Sequence, residues 1–156
     1  MRILIPSLVI LNPMEENSVK IVKRTMKVVI CIPLVLIILV IAFEIIGMIV
    51  NHIATGMQTR ELKNMIKTEL TSAEIIDTYS ETGNTSGTGN HVDMLSEILF
   101  STDDSLDEIE SKLQDNLEFD EWSCWIEEVD IPGQTGQCYL LYVNESAPFA
   151  DNIEGH

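Results

Sequence analysis

Residues 28–50 read VVICIPLVLIILVIAFEIIGMIV, and only Pro33, Glu44 and Gly47 interrupt this run of apolar side chains. An α-helix of this length extends about 34 Å, which exceeds the hydrocarbon thickness of a bilayer, about 30 Å. Its Leu, Ile, Val and Phe side chains each favour insertion by about 0.3–0.6 kcal/mol, and together they outweigh the cost of one acid, about 3 kcal/mol. The stretch therefore predicts a single transmembrane helix.

The charges on the two sides of this segment differ in sign. Residues 1–27 carry five basic and two acidic side chains, whereas residues 51–156 carry 22 acidic and four basic ones, a net charge of −18. The positive-inside rule therefore predicts a short basic tail in the cytoplasm and an acidic part outside the plasma (inner) membrane. An outer part with this charge repels phosphates, which excludes nucleic acid as a partner.

Two alternatives stay open near the N-terminus. The apolar run is longer than the roughly 7–15 residues of a signal peptide, but the small residues at 54–56 offer a cleavage site. Synthesis that starts at Met14 or Met26 instead of Met1 would remove the short apolar segment that opens the chain.

Residues 51–73 carry apolar side chains three to five positions apart, which is the spacing of one helical face. We predict that the anchor continues outward here as an amphipathic helical stalk. Residues 74–80 are rich in β-branched side chains and predict a short strand. Residues 82–90 are nearly all Gly, Ser, Thr and Asn, and this composition predicts a loop.

Two helices are predicted after this loop. The second begins at Ser105, where Glu108 has the capping-box spacing that lets the two residues satisfy each other's backbone N–H groups. The first begins near Asn90, and its apolar face consists of Val92, Leu95, Ile98 and Leu99.

Alternation at 122–128 and a β-branched and aromatic stretch at 138–143 flank a turn with Pro and Gly at 131–136, which predicts a hairpin. Residues 74–156 are therefore predicted to form a small α+β domain: a three-stranded antiparallel sheet with two to three helices. Because about 85 residues form only a thin core, we expect a stabilising cross-link. A disulfide between Cys124 and Cys138 would close about 15 residues and contribute about 3 kcal/mol. Two reduced thiols in the core are the alternative.

Residues 79–85 (YSETGNT) follow a predicted strand and resemble the phosphate loop of flavodoxins. In that family, backbone amides and hydroxyls of such a loop hold the FMN phosphate at the start of a helix. The resemblance implies an FMN-binding module. It covers seven residues, after which the loop continues where flavodoxins begin a helix, and a hairpin replaces their repeated strand and helix pattern.

The anchor is similar to the membrane segment of TadE-like minor pilins. The similarity consists of Pro33 and Glu44 with an apolar run between them and Phe43 directly before the acid. Lys27 stands where such segments usually carry an acid. This likeness implies a subunit of a pilus or secretion fibre in which Glu44 pairs within a bundle of anchors.

The sequence contains no motif for catalysis, for a cofactor or for a structural metal. His91 and Asp93 do not form a ligand set, and the acids at 103–110 lack the spacing of a calcium loop. The acids between Glu118 and Glu128 leave weak binding of a divalent cation open. We therefore predict a non-enzymatic, single-pass protein of the cell envelope, whose acidic outer domain serves binding or assembly.

The predicted partners are the lipid bilayer and another envelope protein, or a second copy through the transmembrane helix. Glu44 is the predicted contact for a partner within the membrane, because ionisable side chains there commonly pair. The alternative for the aromatic side chains of the hairpin is the core of the sheet. The aromatic residues predicted to form a contact surface are Trp122, Trp125, Tyr139 and Tyr142.

Overall fold

The computed structural model describes residues 13–87, 89–134 and 136–156, so residues 1–12 of the predicted basic tail (1–27) lie outside the described residues. Two compact units divide the chain, the first ending at Ala42 and the second comprising Phe43–His156. Helix α1 (Pro13–Glu69) has residues in both units. In the first unit, the large apolar side chains between Ile21 and Ile41 are 50–65% exposed. One helix among the described residues is long and apolar enough to span a membrane.

The second unit, here called the sheet domain, contains one antiparallel sheet of four strands in the order β1-β2-β4-β3. The fold is α+β as predicted, but the sheet has four strands and not three. A short helix and a 3₁₀ turn at Ile153–Gly155 complete the domain. The elements are β1 (Glu74–Gly83), β2 (Asp93–Ser101), α2 (Leu106–Leu113), β3 (Cys124–Val129) and β4 (Cys138–Ser146).

Strand β2 lies where the first helix after the loop was predicted, and that prediction is wrong. The segment is apolar on both sides, because Ile98 and Phe100 are fully buried while Leu99 alternates with them and is half-buried. A run that is apolar on both sides fits a helix or a central strand equally well by spacing alone. Pairing with β1 on one edge and β4 on the other makes this segment a strand.

The end of α1 forms the core together with one face of the sheet. Leu62, Ile66 and Leu70 are at most 4% exposed and contact the side chains that alternate inward along β2, β3 and β4. The predicted stalk at 51–73 is therefore part of the domain and not a separate helix. The inward side chains of the strands in this core are Ile98, Phe100, Cys124, Ile126, Tyr139, Leu141 and Val143.

The second predicted helix and the predicted hairpin are both confirmed. Helix α2 begins after Ser105, whose backbone N–H donates to a Glu108 carboxylate oxygen at 2.9 Å. This bond and a second from the Ser105 hydroxyl lower the pKa of Glu108. The helix buries Ile109 and Leu113 in the core. Strands β3 and β4 pair in antiparallel register around the predicted turn.

Candidate functional site

The last ten residues, 147–156, fold back onto the part of α1 that belongs to the sheet domain, and we call them the hook. Asn51 is fully buried there and makes two hydrogen bonds to the backbone of Phe149. Its side-chain amide donates to the Phe149 carbonyl at 3.0 Å, and the Phe149 N–H donates to its oxygen at 2.9 Å. The ring of Phe149 also meets that of Phe43 edge-on, with centroids 5.5 Å apart.

Glu44 and Gly47 extend this contact towards the beginning of the domain. The backbone N–H of Ile153 donates to a Glu44 carboxylate oxygen at 3.0 Å. A Cβ on Gly47 would lie 3.2 Å from the ring of Phe149 and 3.2 Å from the side chain of Asn152, so a larger residue would press on the hook. Glu44 therefore has a partner within its own chain, and its contact with a membrane partner stays a prediction.

The hook contacts residues that the sequence assigns to the anchor. The sheet domain begins at Phe43, so residues 43–50, the last part of the predicted span, belong to it. The Ile153 N–H of the hook donates to Glu44 in this part of α1, and the hook is also bonded to Val92 through the Ala147 N–H and the Ala150 carbonyl. The last part of the apolar run is therefore packed against the hook within the sheet domain.

On the side of the sheet opposite α1, two rows of side chains in the middle of the strands are exposed or half-buried, and we call these two rows the open face. Two rows of four side chains cross the strands from β1 to β3 on this side. None of the eight is buried, whereas the core side of β2 and β4 is. The first row is Tyr79, Glu97, Tyr142 and Trp125, and the second is Asp77, Leu99, Leu140 and Glu127.

Trp125 and Tyr142 form an aromatic stack on the open face. Their rings lie 4.8 Å apart at an angle of 10°, and both side chains are half-buried. Of the other two predicted contact residues, Trp122 lies before β3 with 84% of its surface exposed. Tyr139 is 1% exposed in the core and donates its hydroxyl to the Asp104 carbonyl at 3.2 Å. The prediction that Tyr139 lies on a contact surface is wrong, because its strand position points it towards α1.

The three acids of the open face, Asp77, Glu97 and Glu127, make no ion pair with any described residue. All four strands lack Lys and Arg, and Lys112 is the one Lys or Arg after Lys67. Lys112 is paired with Asp104 at 2.7 Å, away from the open face. Sequence reasoning did not find this arrangement of acids and aromatics, because it depends on which strands are neighbours.

A groove of about 540 Å³ lies on the other side of the domain, between α1, the sheet and the segment after α2. Methionine side chains and the apolar part of α1 form much of its wall. Gln58 crosses its rim, since its side-chain amide donates to Glu145 at 3.1 Å and its oxygen accepts from Ser96 at 2.9 Å. The apolar side chains of the wall are Ala54, Met57, Leu62, Met65, Met94, Leu117 and Val143.

The strand register excludes the predicted disulfide. Cys124 pairs with Val143 and Cys138 pairs with Val129, so the two cysteines lie at opposite ends of the hairpin. Five residues of strand separate them by about 17 Å, whereas a disulfide needs Cα atoms within about 7 Å. They also alternate onto different faces of the sheet. Both are free and buried thiols, so the alternative of two reduced thiols matches the structure.

The thiol of Cys124 is expected to resist alkylation in the folded protein. Burial, together with the nearby carboxylates of Asp120 and Glu145, raises its pKa from 9.0 to about 11. At pH 8 this leaves about a hundredfold less thiolate, and the thiolate is the reactive form. Mass spectrometry after iodoacetamide treatment should find Cys124 unmodified in the native protein and modified after urea. A reductant should leave the thermal midpoint unchanged, and a mass two hydrogens lower without reductant would contradict this assignment.

One cluster contains the residue types of a serine hydrolase but not their geometry. The Nε2 atom of His91 lies 2.8 Å from the Ser146 hydroxyl and 3.5 Å from an Asp93 carboxylate oxygen. In a catalytic triad the acid binds one ring nitrogen while the other takes the proton from serine. Here both contacts use the same nitrogen, and the second Asp93 oxygen accepts from Ser86. The cluster fastens the loop before β2 to the end of β4.

Asp120, one of the acids before the hairpin, is held by hydrogen bonds from the two residues that precede β3. Asp120 accepts from the backbone N–H groups of Trp122 and Ser123 at 2.5 Å and from the Ser123 hydroxyl. The Ser123 hydroxyl and backbone N–H, followed by the Trp122 N–H, lower the pKa of Asp120 to about 2. Within the described part of the chain, no group of three or more His, Cys, Asp or Glu side chains could hold a metal ion.

Five of the seven residues that resemble the flavodoxin phosphate loop, 79–83, belong to strand β1. The loop that follows leads into β2, which is a strand where flavodoxins have a helix. The helix N-terminus that binds phosphate in that family is therefore replaced here by a strand edge. Ser86 of this loop bonds to Asp93, an acid that would repel a phosphate.

Comparison of the chain with family models, with curated proteins and with solved structures finds no match.

Proposed function

We propose that this protein is a single-pass membrane protein whose sheet domain is held outside the plasma membrane to bind another envelope protein. The observation that carries this proposal is the exposure of α1: none of its most apolar window is buried within the protein. A core helix of a soluble protein would bury such a window, whereas a helix in lipid leaves it exposed. The basic residues before it and the net charge of −18 after it support a cytoplasmic N-terminus.

The membrane span ends near Ala42 in this proposal, earlier than the Val50 expected from hydropathy. If residues 43–50 lay in the hydrocarbon, the hook and its polar backbone would lie there as well, at a cost of several kcal/mol for each unsatisfied group. Residues 21–42 extend about 33 Å as a helix, of which the uncharged run 28–42 covers about 22 Å, so the basic residues at 23–27 enter the inner part of the span. Lys23, Arg24 and Lys27 lie near the inner end, where long basic side chains reach the headgroups.

Cysteine accessibility tests the orientation and the outer end together. In a Cys31→Ser background, Ile38→Cys, Ile45→Cys and Ile53→Cys place a thiol at three depths on exposed positions of α1. With a membrane-impermeant maleimide on intact cells, we expect labelling at 45 and 53 and none at 38. Labelling at 53 alone would mean that the span ends near Val50. If none of the three positions were labelled on intact cells, the proposed orientation would be wrong. Labelling of all three after detergent lysis is the control.

A second function is favoured by a specific observation, the exposed isoleucines of α1 in the sheet domain. Ile45, Ile49 and Ile53 recur every four residues and are 50–58% exposed, so one apolar stripe continues past Ala42. Such a stripe suits packing against the same helix of further copies, as in a pilus or secretion fibre. Crosslinking through Ile45→Cys or Ile49→Cys in membranes distinguishes the two functions, since a fibre gives ladders and a binding domain gives monomers.

A further inference from the structure

We infer that the open face binds a basic, arginine-containing segment of a partner protein, laid across the four strands. This inference rests on the proposed binding function and names the chemistry of the partner. Four strands about 4.8 Å apart give the rows a length of about 14 Å, the span of about four extended residues. The face is therefore large enough for a short extended segment.

The stacked rings and their neighbouring acids have the arrangement that recognises guanidinium groups. Glu97 lies directly across from Tyr142 in the register, and Glu127 is two residues from Trp125 on β3. An arginine side chain can stack on the face of an aromatic ring while its N–H groups donate to a carboxylate. The open face therefore has an aromatic ring for stacking and a carboxylate for hydrogen bonding on neighbouring positions.

The negative charge of the open face favours a partner of positive charge. Asp77, Glu97 and Glu127 have no cation within the described chain, and no basic residue occurs in any of the four strands. Three unpaired carboxylates around an apolar patch disfavour an acidic partner and attract a basic one. An anionic lipid surface is excluded for the same reason, since it would be repelled by a domain whose residues 43–156 carry 23 acidic and four basic side chains, a net charge of −19.

A second copy is a weaker occupant of the open face than a basic partner. Its outer part carries the same negative charge, and its basic residues there are Arg60, Lys63, Lys67 and the already paired Lys112. Those three lie on a helix and not on an extended segment.

The binding test uses the full-length protein in phosphatidylcholine nanodiscs, whose lipids carry no net charge. The probe is a fluorescein-labelled hexapeptide in which arginine alternates with valine, and its control has citrulline in place of arginine. We expect saturable binding of the arginine peptide alone, measured by fluorescence anisotropy at 0.15 M salt. Glu97→Gln with Glu127→Gln should weaken it at least tenfold, and Trp125→Ala at least fivefold with unchanged circular dichroism.

A matched pair of substitutions separates this site from general attraction to a polyanion. Glu110→Gln with Asp115→Asn removes the same charge from α2 and the segment after it, and should weaken binding less than threefold. Equal weakening by both pairs, or equal binding of the citrulline peptide, would overturn the inference. The inference would also be overturned if the protein formed oligomers in nanodiscs and the double substitution Arg60→Glu with Lys63→Glu dissociated them, because the open face would then bind a second copy. The proposed topology is tested separately by maleimide labelling and survives any of these failures.

Discussion

Replacing Ile66 by alanine is expected to lower the free energy of unfolding of the sheet domain by about 2–5 kcal/mol. Ile66 is fully buried between α1 and the sheet, where it belongs to the main core cluster. Removing its methyl and methylene groups forfeits their transfer free energy and leaves a cavity that close-packed neighbours fill only in part. Urea titration of the protein in detergent, followed by tryptophan fluorescence from Trp122 and Trp125, measures the change.

Ile53→Ala is the matched control for this substitution. Ile53 lies on the same helix, and its substitution removes the same atoms, but its side chain is 58% exposed. We expect a change within about 0.5 kcal/mol. If Ile66→Ala were as mild as Ile53→Ala, the end of α1 would be a separate stalk and would not form the core of the domain.

Replacing Asn51 by alanine is expected to release the hook from α1. The substitution leaves the N–H and the carbonyl of Phe149 without their partners in a site where Asn51 is fully buried. Each unsatisfied group costs about 1–3 kcal/mol, so the free energy needed to open the hook should fall by about 2–6 kcal/mol. Hydrogen exchange of the amides at 149–155 should accelerate at least tenfold, while the amides of β4 stay protected.

Asn64→Ala on the exposed side of α1 is the control for this change. It makes the same substitution in the same helix, where the side chain has no contact with the hook. We expect no change in exchange at 149–155. Protection of the hook that survives Asn51→Ala would show that Phe43, Gly47 and Glu44 suffice to hold it.

Elements with a local physical cause could be predicted. The capping box at Ser105 and Glu108 depends on atoms three residues apart, and the hairpin depends on a turn between two alternating strands. The apolar helix follows from composition alone. The helix predicted near Asn90 failed because its apolar residues fit two periods, and only long-range pairing decides between them.

The candidate site was much less predictable than the helices. Trp125 and Tyr142 were expected on a contact surface and lie on the open face, but Tyr139, three residues from Tyr142, lies in the core. The cysteine pair failed for the same reason, since spacing in sequence does not give the register of a hairpin. The sequence indicates no role for Glu97 or Asn51, because their partners, Tyr142 and Phe149, lie 45 and 98 residues away.

The amino-acid sequence by itself determined that this protein has one long apolar helix, an acidic part after it and the local turns and caps of an α+β domain. Hydrophobicity, charge and capping act between near neighbours, so they can be read without knowing the fold. The tertiary structure alone decided that the end of α1 forms the core, that the hook binds residues 43–52 and that acids and aromatics share the open face. Those features arise where segments distant in the chain pair and pack, and the free energy of that packing selects among the locally equivalent conformations.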